Sequence, residues 1–175
     1  MKKPAIVLFL LAVCTLLHSQ ASNNLTRMEK KEAARLYTGE TAMKQMDLSG
    51  GKLSFDSLLR KGDQVIQISQ EGEVAGYILR SSAMGRYERF DYSVFYDPGL
   101  SILGVSVTAY RSTHGTAICQ RKWLGQFKGY DGGDLVLGRD IDAISGASIS
   151  ALSLVEDIRR CFILMDRLQE DGWIQ

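Results

Sequence analysis

From Tyr87 to Tyr110 the chain reads YERFDYSVFYDPGLSILGVSVTAY. Phe90, Tyr92, Val94 and Tyr96 recur at every second position, the period of a strand, and Ile102 to Tyr110 is rich in Val and Ile. Between them stands Asp97-Pro98-Gly99. Proline presets one turn dihedral and glycine accepts positive φ, so the stretch predicts an antiparallel hairpin. Upstream, Gln64 to Ser69 and Val74 to Arg80 flank a turn at Gly72 and extend the hairpin into a meander. Downstream, residues 111–117 predict a polar loop, Ile118 to Phe127 a helix and Gly129 to Gly133 a turn. Ala151, Val155, Ile158, Phe162 and Met165 recur at three- and four-residue steps, as one face of a closing helix. The expected class is α+β, an antiparallel β-sheet with packed helices.

Residues 24–48 predict one or two helices, entered from Asn23 or Asn24 and interrupted near Gly39. Gly50-Gly51 and Lys61-Gly62-Asp63 are breaks, with a short helical turn expected over 55–59. Lys2 and Lys3 precede an apolar run from Ala5 to Leu17, and Ser19 and Ala21 supply the small residues of a cleavage site. That layout predicts an export signal over 1–21; the apolar run is shorter than a spanning helix needs, which favours cleavage after Ala21 over a retained anchor.

The 175 residues hold 21 Lys+Arg and 20 Asp+Glu. Loss of Lys2 and Lys3 with the signal leaves a nearly neutral chain, with no basic surplus to neutralise a phosphate backbone, so nucleic acid is not an expected partner. Cys119 and Cys161 would remain in a compartment that permits a disulfide, and the sequence leaves open whether they pair or stay free. His114 is then the single histidine, and no Cys, His and carboxylate cluster has ligand spacing, so no metal site is expected. Asp131, Asp134 and Asp140 can be read as oxygen donors to a hard cation or as a solvated acidic turn.

The chemistry concentrates in Asp142-Ala143-Ile144-Ser145-Gly146-Ala147-Ser148-Ile149-Ser150, where the last helix begins. A helix N-terminus offers unpaired N–H groups and partial positive charge to an anion. Gly146 and Ala147 allow close approach, and the serines add hydroxyls. The same serines also read as ordinary N-caps.

Asp142-x-x-Ser145-Gly146-Ala147-Ser148 resembles the flavinylation motif Asp-x-x-Ser/Thr-Gly-Ala-Ser/Thr of the FMN-binding domain family. That family includes the G subunit of the Rnf electron-transport complex and the C subunit of the sodium-translocating NADH:quinone reductase. The strands, then Gln126-Phe127-Lys128-Gly129, then the motif follow the family's order over roughly residues 70–168. The chain thus reads as a signal peptide over 1–21, an N-terminal helical segment over 22–63, which has no clear counterpart in the family, and 64–175 as the FMN-binding domain. It implies a covalent FMN phosphoester on Ser148, with Asp142, Ser145, Gly146 and Ala147 read by an exported, magnesium-dependent flavin transferase using FAD. The acceptor position holds Ser where the best-known members have Thr. The family's Glu-Thr-Pro-Gly loop is here Ser112-Thr113-His114-Gly115-Thr116, which puts His114, Gly115 and Thr116 near the flavin.

Tyr110 and Trp123 are candidates for stacking on the ring or for the core. The implied protein is an exported, periplasmic or outer-face membrane-associated flavoprotein passing electrons among membrane-bound redox proteins, a carrier more than a self-contained enzyme. Two alternatives stand beside it: a flavin-dependent reductase of a small extracytoplasmic substrate, and a non-redox binding module that uses Ser145 and Ser148 as caps.

Overall fold

A computed structural model describes residues 25–48 and 57–175. The expected export signal and the Gly50-Gly51 break lie outside these residues, and the helical turn expected over 55–59 lies partly outside them.

The chain runs α1 (Arg27–Leu36), β1 (Ala42–Gln45), β2 (Gln64–Gln70), β3 (Glu73–Met84), β4 (Arg89–Tyr96) and β5 (Ile102–Ala109). It continues through a 3-10 turn (Thr116–Cys119), the short α2 (Arg121–Leu124), a second 3-10 turn (Gly125–Phe127) and the long α3 (Ser148–Glu170). The five strands form one antiparallel sheet in the order β1-β2-β3-β4-β5. This is the α+β architecture expected.

Local chemistry fixes the turns. Glu71 and Gly72 both take positive φ (52° and 90°), the dihedral sign a two-residue hairpin loop needs. At Asp97-Pro98-Gly99 the turn closes through Leu100 N–H to the Asp97 carbonyl (3.1 Å), and the Asp97 carboxylate accepts Ser101 N–H (2.9 Å).

The alternation in β4 is real, yet both of its faces are covered. Phe90, Tyr92, Val94 and Tyr96 pack toward α3, while Phe95 joins Ala33 and Tyr37 on the α1 side. Buried Ile158, Leu164, Met165 and Leu168 extend the apolar face of α3. Each such side chain contributes about 1.5–3 kcal/mol on leaving water. Phe162, expected on that face, is only half-buried and meets Tyr130 edge to face at 5.5 Å.

Two expectations need correction. The described residues 25–48 hold one helix, α1, capped by Thr26 rather than Asn23 or Asn24, and Ala42–Gln45 is the edge strand β1, paired Met43 to Ile68. The expected N-terminal helical segment therefore supplies part of the sheet, because pairing with β2 outweighs the local preference of a four-residue stretch. Residues 118–127 form no continuous helix: the chain is extended at Gln120 (φ −70°, ψ 127°), which splits the run.

A buried polar network seats α3. The Asp157 carboxylate accepts from Tyr92 (2.6 Å) and Arg160 (2.7 Å) and pairs with Arg60. Arg160 also reaches Asp63 (2.8 Å), the Ser81 hydroxyl (2.8 Å) and the Leu58 carbonyl (2.6 Å). At the start of the helix, Ser153 Oγ accepts Met84 N–H (3.1 Å) and holds α3 against the end of β3. Among the described residues, no helix is long and apolar enough to cross a membrane.

Candidate functional site

The Asp142–Ser150 stretch is held from behind by the segment before it. The Gln126 side-chain carbonyl accepts Asp142 N–H (2.9 Å), and Trp123 Nε1–H donates to the Asp142 carbonyl (2.8 Å). This gives Gln126-Phe127-Lys128-Gly129 a local role: Phe127 is buried in the core, and its neighbour Gln126 pins the backbone where the motif begins. Trp123 is 5% exposed and meets Phe127 edge to face, so it belongs to the core.

The chain then turns through Gly146 at φ +76°, and α3 starts at Ser148 with Ala147 as its N-cap. Alanine has no side-chain oxygen, and no side chain caps this helix. The first intrahelical bond runs from Ala151 N–H to the Ala147 carbonyl (2.9 Å). The N–H groups of Ser148, Ile149 and Ser150 thus find no acceptor among the described residues. Reading the serines as N-caps is not what the structure shows. Ser148 is exposed and its hydroxyl reaches only back to the Ile144 carbonyl at 3.4 Å, while Ser150 is buried.

Above this helix end lies a cavity of about 230 Å³, lined by Arg86, His114, Gly115 and residues 146–150. Among the described residues, no carboxylate lines it. One side is fixed by Tyr110, whose hydroxyl donates to the His114 carbonyl (2.7 Å) and lies 2.9 Å from Ser150 Oγ. The tyrosine proton is committed to the carbonyl, so Ser150 donates to Tyr110. Tyr110 is thereby a brace joining the 111–115 loop to α3. Gly115 sits in the crook at φ +85°, where a Cβ would come within 2.5 Å of the Tyr110 oxygen. The opposite side comes from the β3–β4 hairpin: Arg86 lies 5.3 Å from the Tyr87 ring centre, and Tyr87 packs edge to face on His114 at 5.7 Å.

The expected site residues therefore divide. Gly146, Ala147, Ser148, His114 and Gly115 converge on the cavity. Asp142 and Ser145 are exposed on the approach to the helix but do not line it, and Thr116 is exposed at the head of the 3-10 turn, also outside it. Sequence reading missed Arg86, which is brought in by a hairpin distant along the chain and carries no local signal beyond the turn at Gly85. Of the acidic residues weighed as cation donors, Asp140 pairs with Arg139 and Asp134 with Arg159. Arg139 and the Val136 N–H hold the Asp140 carboxyl below the usual carboxylate range. Cys119 and Cys161 are both free, the first exposed and the second buried.

Neither protein-family models nor curated proteins match this chain. Among solved structures it is similar to the crystal structure of Shewanella oneidensis NqrC, at 15% identity and a TM-score of 0.46. The alignment covers 83% of this chain and 87% of that one.

Proposed function

We propose that this protein is an exported FMN carrier, with the cofactor joined through its phosphate to Ser148 and electrons passed among membrane-bound redox proteins. The observation that carries the reading is the uncapped start of α3. An exposed serine hydroxyl and three N–H groups that meet no acceptor among the described residues stand at a cavity that no described carboxylate lines, with Arg86 on its wall. Those are the properties a phosphate ester needs from its surroundings.

Attachment by a flavin transferase balances without an external redox agent. The Ser148 Oγ–P bond forms as the diphosphate bond of FAD breaks, and AMP leaves, with the serine proton passing to solvent. Asp142 and Ser145 project from the exposed approach to the helix, where a transferase can read them. The resulting phosphodiester keeps one negative charge, which the helix end stabilises by about 0.3–1 kcal/mol, with Arg86 adding a cation at the wall. Bound FMN supplies the one- and two-electron chemistry. The chain's own part is to tether, to offset charge, and through the Tyr110 brace to keep the loop that bears His114 against the site.

The test is intact mass and visible absorbance of the protein made with a competent transferase, beside a Ser148→Ala variant. The expected result is a yellow protein with a flavin-sized mass increment that survives denaturation and is absent from the variant. An unmodified wild type would return the site to a non-covalent or non-redox role.

A further inference from the structure

The exposed charge of the molecule is unevenly spread. On α1 both carboxylates are engaged: Glu29 is buried on Arg80, and Glu32 pairs with Arg35 and lies 4.0 Å from Arg121. The exposed charged side chains of that helix, Arg27, Lys30, Lys31 and Arg35, are all basic. The 119–128 segment adds exposed Arg121, Lys122 and Lys128, and no Asp or Glu occurs from Ser112 to Tyr130. Lys31 and Lys128 make no ion pair among the described residues.

These two basic elements cover β5 and face each other across a cleft of about 180 Å³. Its floor is closed, since Gly104, Val105, Ser106 and Val107 are buried. What the cleft offers is the ends of its walls: Lys31 and Arg35 from α1, Arg121 and Lys128 opposite, and Met28, which is 48% exposed. Such a face attracts an anionic surface and repels a second copy of itself. The cations lie along a helix flank and a loop, with an apolar side chain among them, instead of converging as fixed donors on one buried point. That layout suits many mobile headgroups. The chain outside the described residues agrees with it, because it enters this face at Leu25, directly before α1, and its apolar run ends shortly upstream at Leu17.

We propose that α1 and the 119–128 segment form a docking face for the anionic phospholipid headgroups of a membrane surface. Lys31, Arg35, Arg121 and Lys128 meet the phosphates, and Met28 enters the interfacial zone. The face shares no residue with the lining of the Ser148 cavity, so it stands whatever that cavity carries.

The experiment is co-sedimentation of the protein from Ser22 onward, which holds every described residue, with phosphatidylcholine vesicles made with and without phosphatidylglycerol. At about 0.1 M salt it should partition at least about tenfold more strongly to the anionic vesicles, and at about 1 M salt, where screening leaves a reach of about 3 Å, the preference should collapse. Lys31→Glu combined with Lys128→Glu should remove it. Lys44→Glu combined with Lys61→Glu makes the same change in net charge at exposed positions that do not line the cleft, and should keep most of it. Unfolding midpoints show that both variants fold. Cys119 lines the cleft and is exposed while Cys161 is buried, so an environment-sensitive maleimide dye on Cys119 should shift to the blue on anionic vesicles. Equal loss in the two double variants would reduce the effect to net charge, and binding without a dye shift would place the membrane elsewhere on the molecule; either overturns the face. No preference for anionic vesicles would overturn it in favour of an acidic protein as the occupant.

Discussion

Two glycines at the entrance to α3 take left-handed backbone for different reasons. A Cβ on Gly146 would meet nothing within 4 Å, so alanine there faces only the dihedral penalty, whereas one on Gly115 would also collide with the Tyr110 hydroxyl. Gly146→Ala should cost about 1 kcal/mol and Gly115→Ala about 2–3 kcal/mol, as read by urea unfolding. Equal losses would show that the Tyr110 brace yields without cost. The same residues show what a sequence can disclose about a site. Asp142 to Ser148 are consecutive, so their pattern is readable in one pass. Arg86 reaches the cavity only because a hairpin packs near Ser150, a relation with no trace in local spacing. Whether the serines act as caps was also beyond local reading, since it turns on which residue takes the last non-helical position, and that is Ala147.

One buried carboxylate ties helix α1 to the sheet, beside its apolar contacts. Glu29 accepts Thr26 N–H (2.7 Å) in a capping box, two bonds from Arg80 (2.7 and 2.9 Å), and the Ser93 hydroxyl (2.6 Å). Burial works to raise its pKa, but these donors and the Arg80 charge outweigh it and hold the carboxyl below its ordinary 4.5. The stabilisation is therefore complete above the unfolded-state pKa and is lost as pH falls through the lower folded one. Glu29→Gln should cost about 3–5 kcal/mol at pH 7. The gap between variant and parent should narrow below pH 4.5 in urea titrations, and a gap independent of pH would mean that packing, not ionisation, holds the helix. Thr26-Arg27-Met28-Glu29 carries the capping-box spacing, so the true start was legible, although sequence reading sets it two or three residues early, at Asn23 or Asn24. The hairpin around Asp97-Pro98-Gly99 was equally so, because alternation and turn chemistry agree there. β1 was not: Ala42-Met43-Lys44-Gln45 suits a helix by composition and becomes a strand only through its pairing with β2.

Across the whole molecule Cys119 and Cys161 report on different depths. Cys161 is fully buried beside Tyr92, and burial pushes its thiol up to about 12, whereas Cys119 is exposed. In a chain beginning at Ser22, a thiol reagent should modify one site in the folded protein. The second site should react at least about a thousandfold more slowly, at a rate that follows global opening. Two sites of equal speed would show that α3 lifts from the sheet without unfolding. The layering has one more consequence, and it concerns time. α1 lies on Ile66, Ile68, Ile78 and Phe95, a surface formed by strands that follow it in the chain. Synthesis delivers the helix first and its seat last. α1 must therefore wait, apolar face uncovered, until the meander has closed, and its docking is a late event in the birth of each molecule.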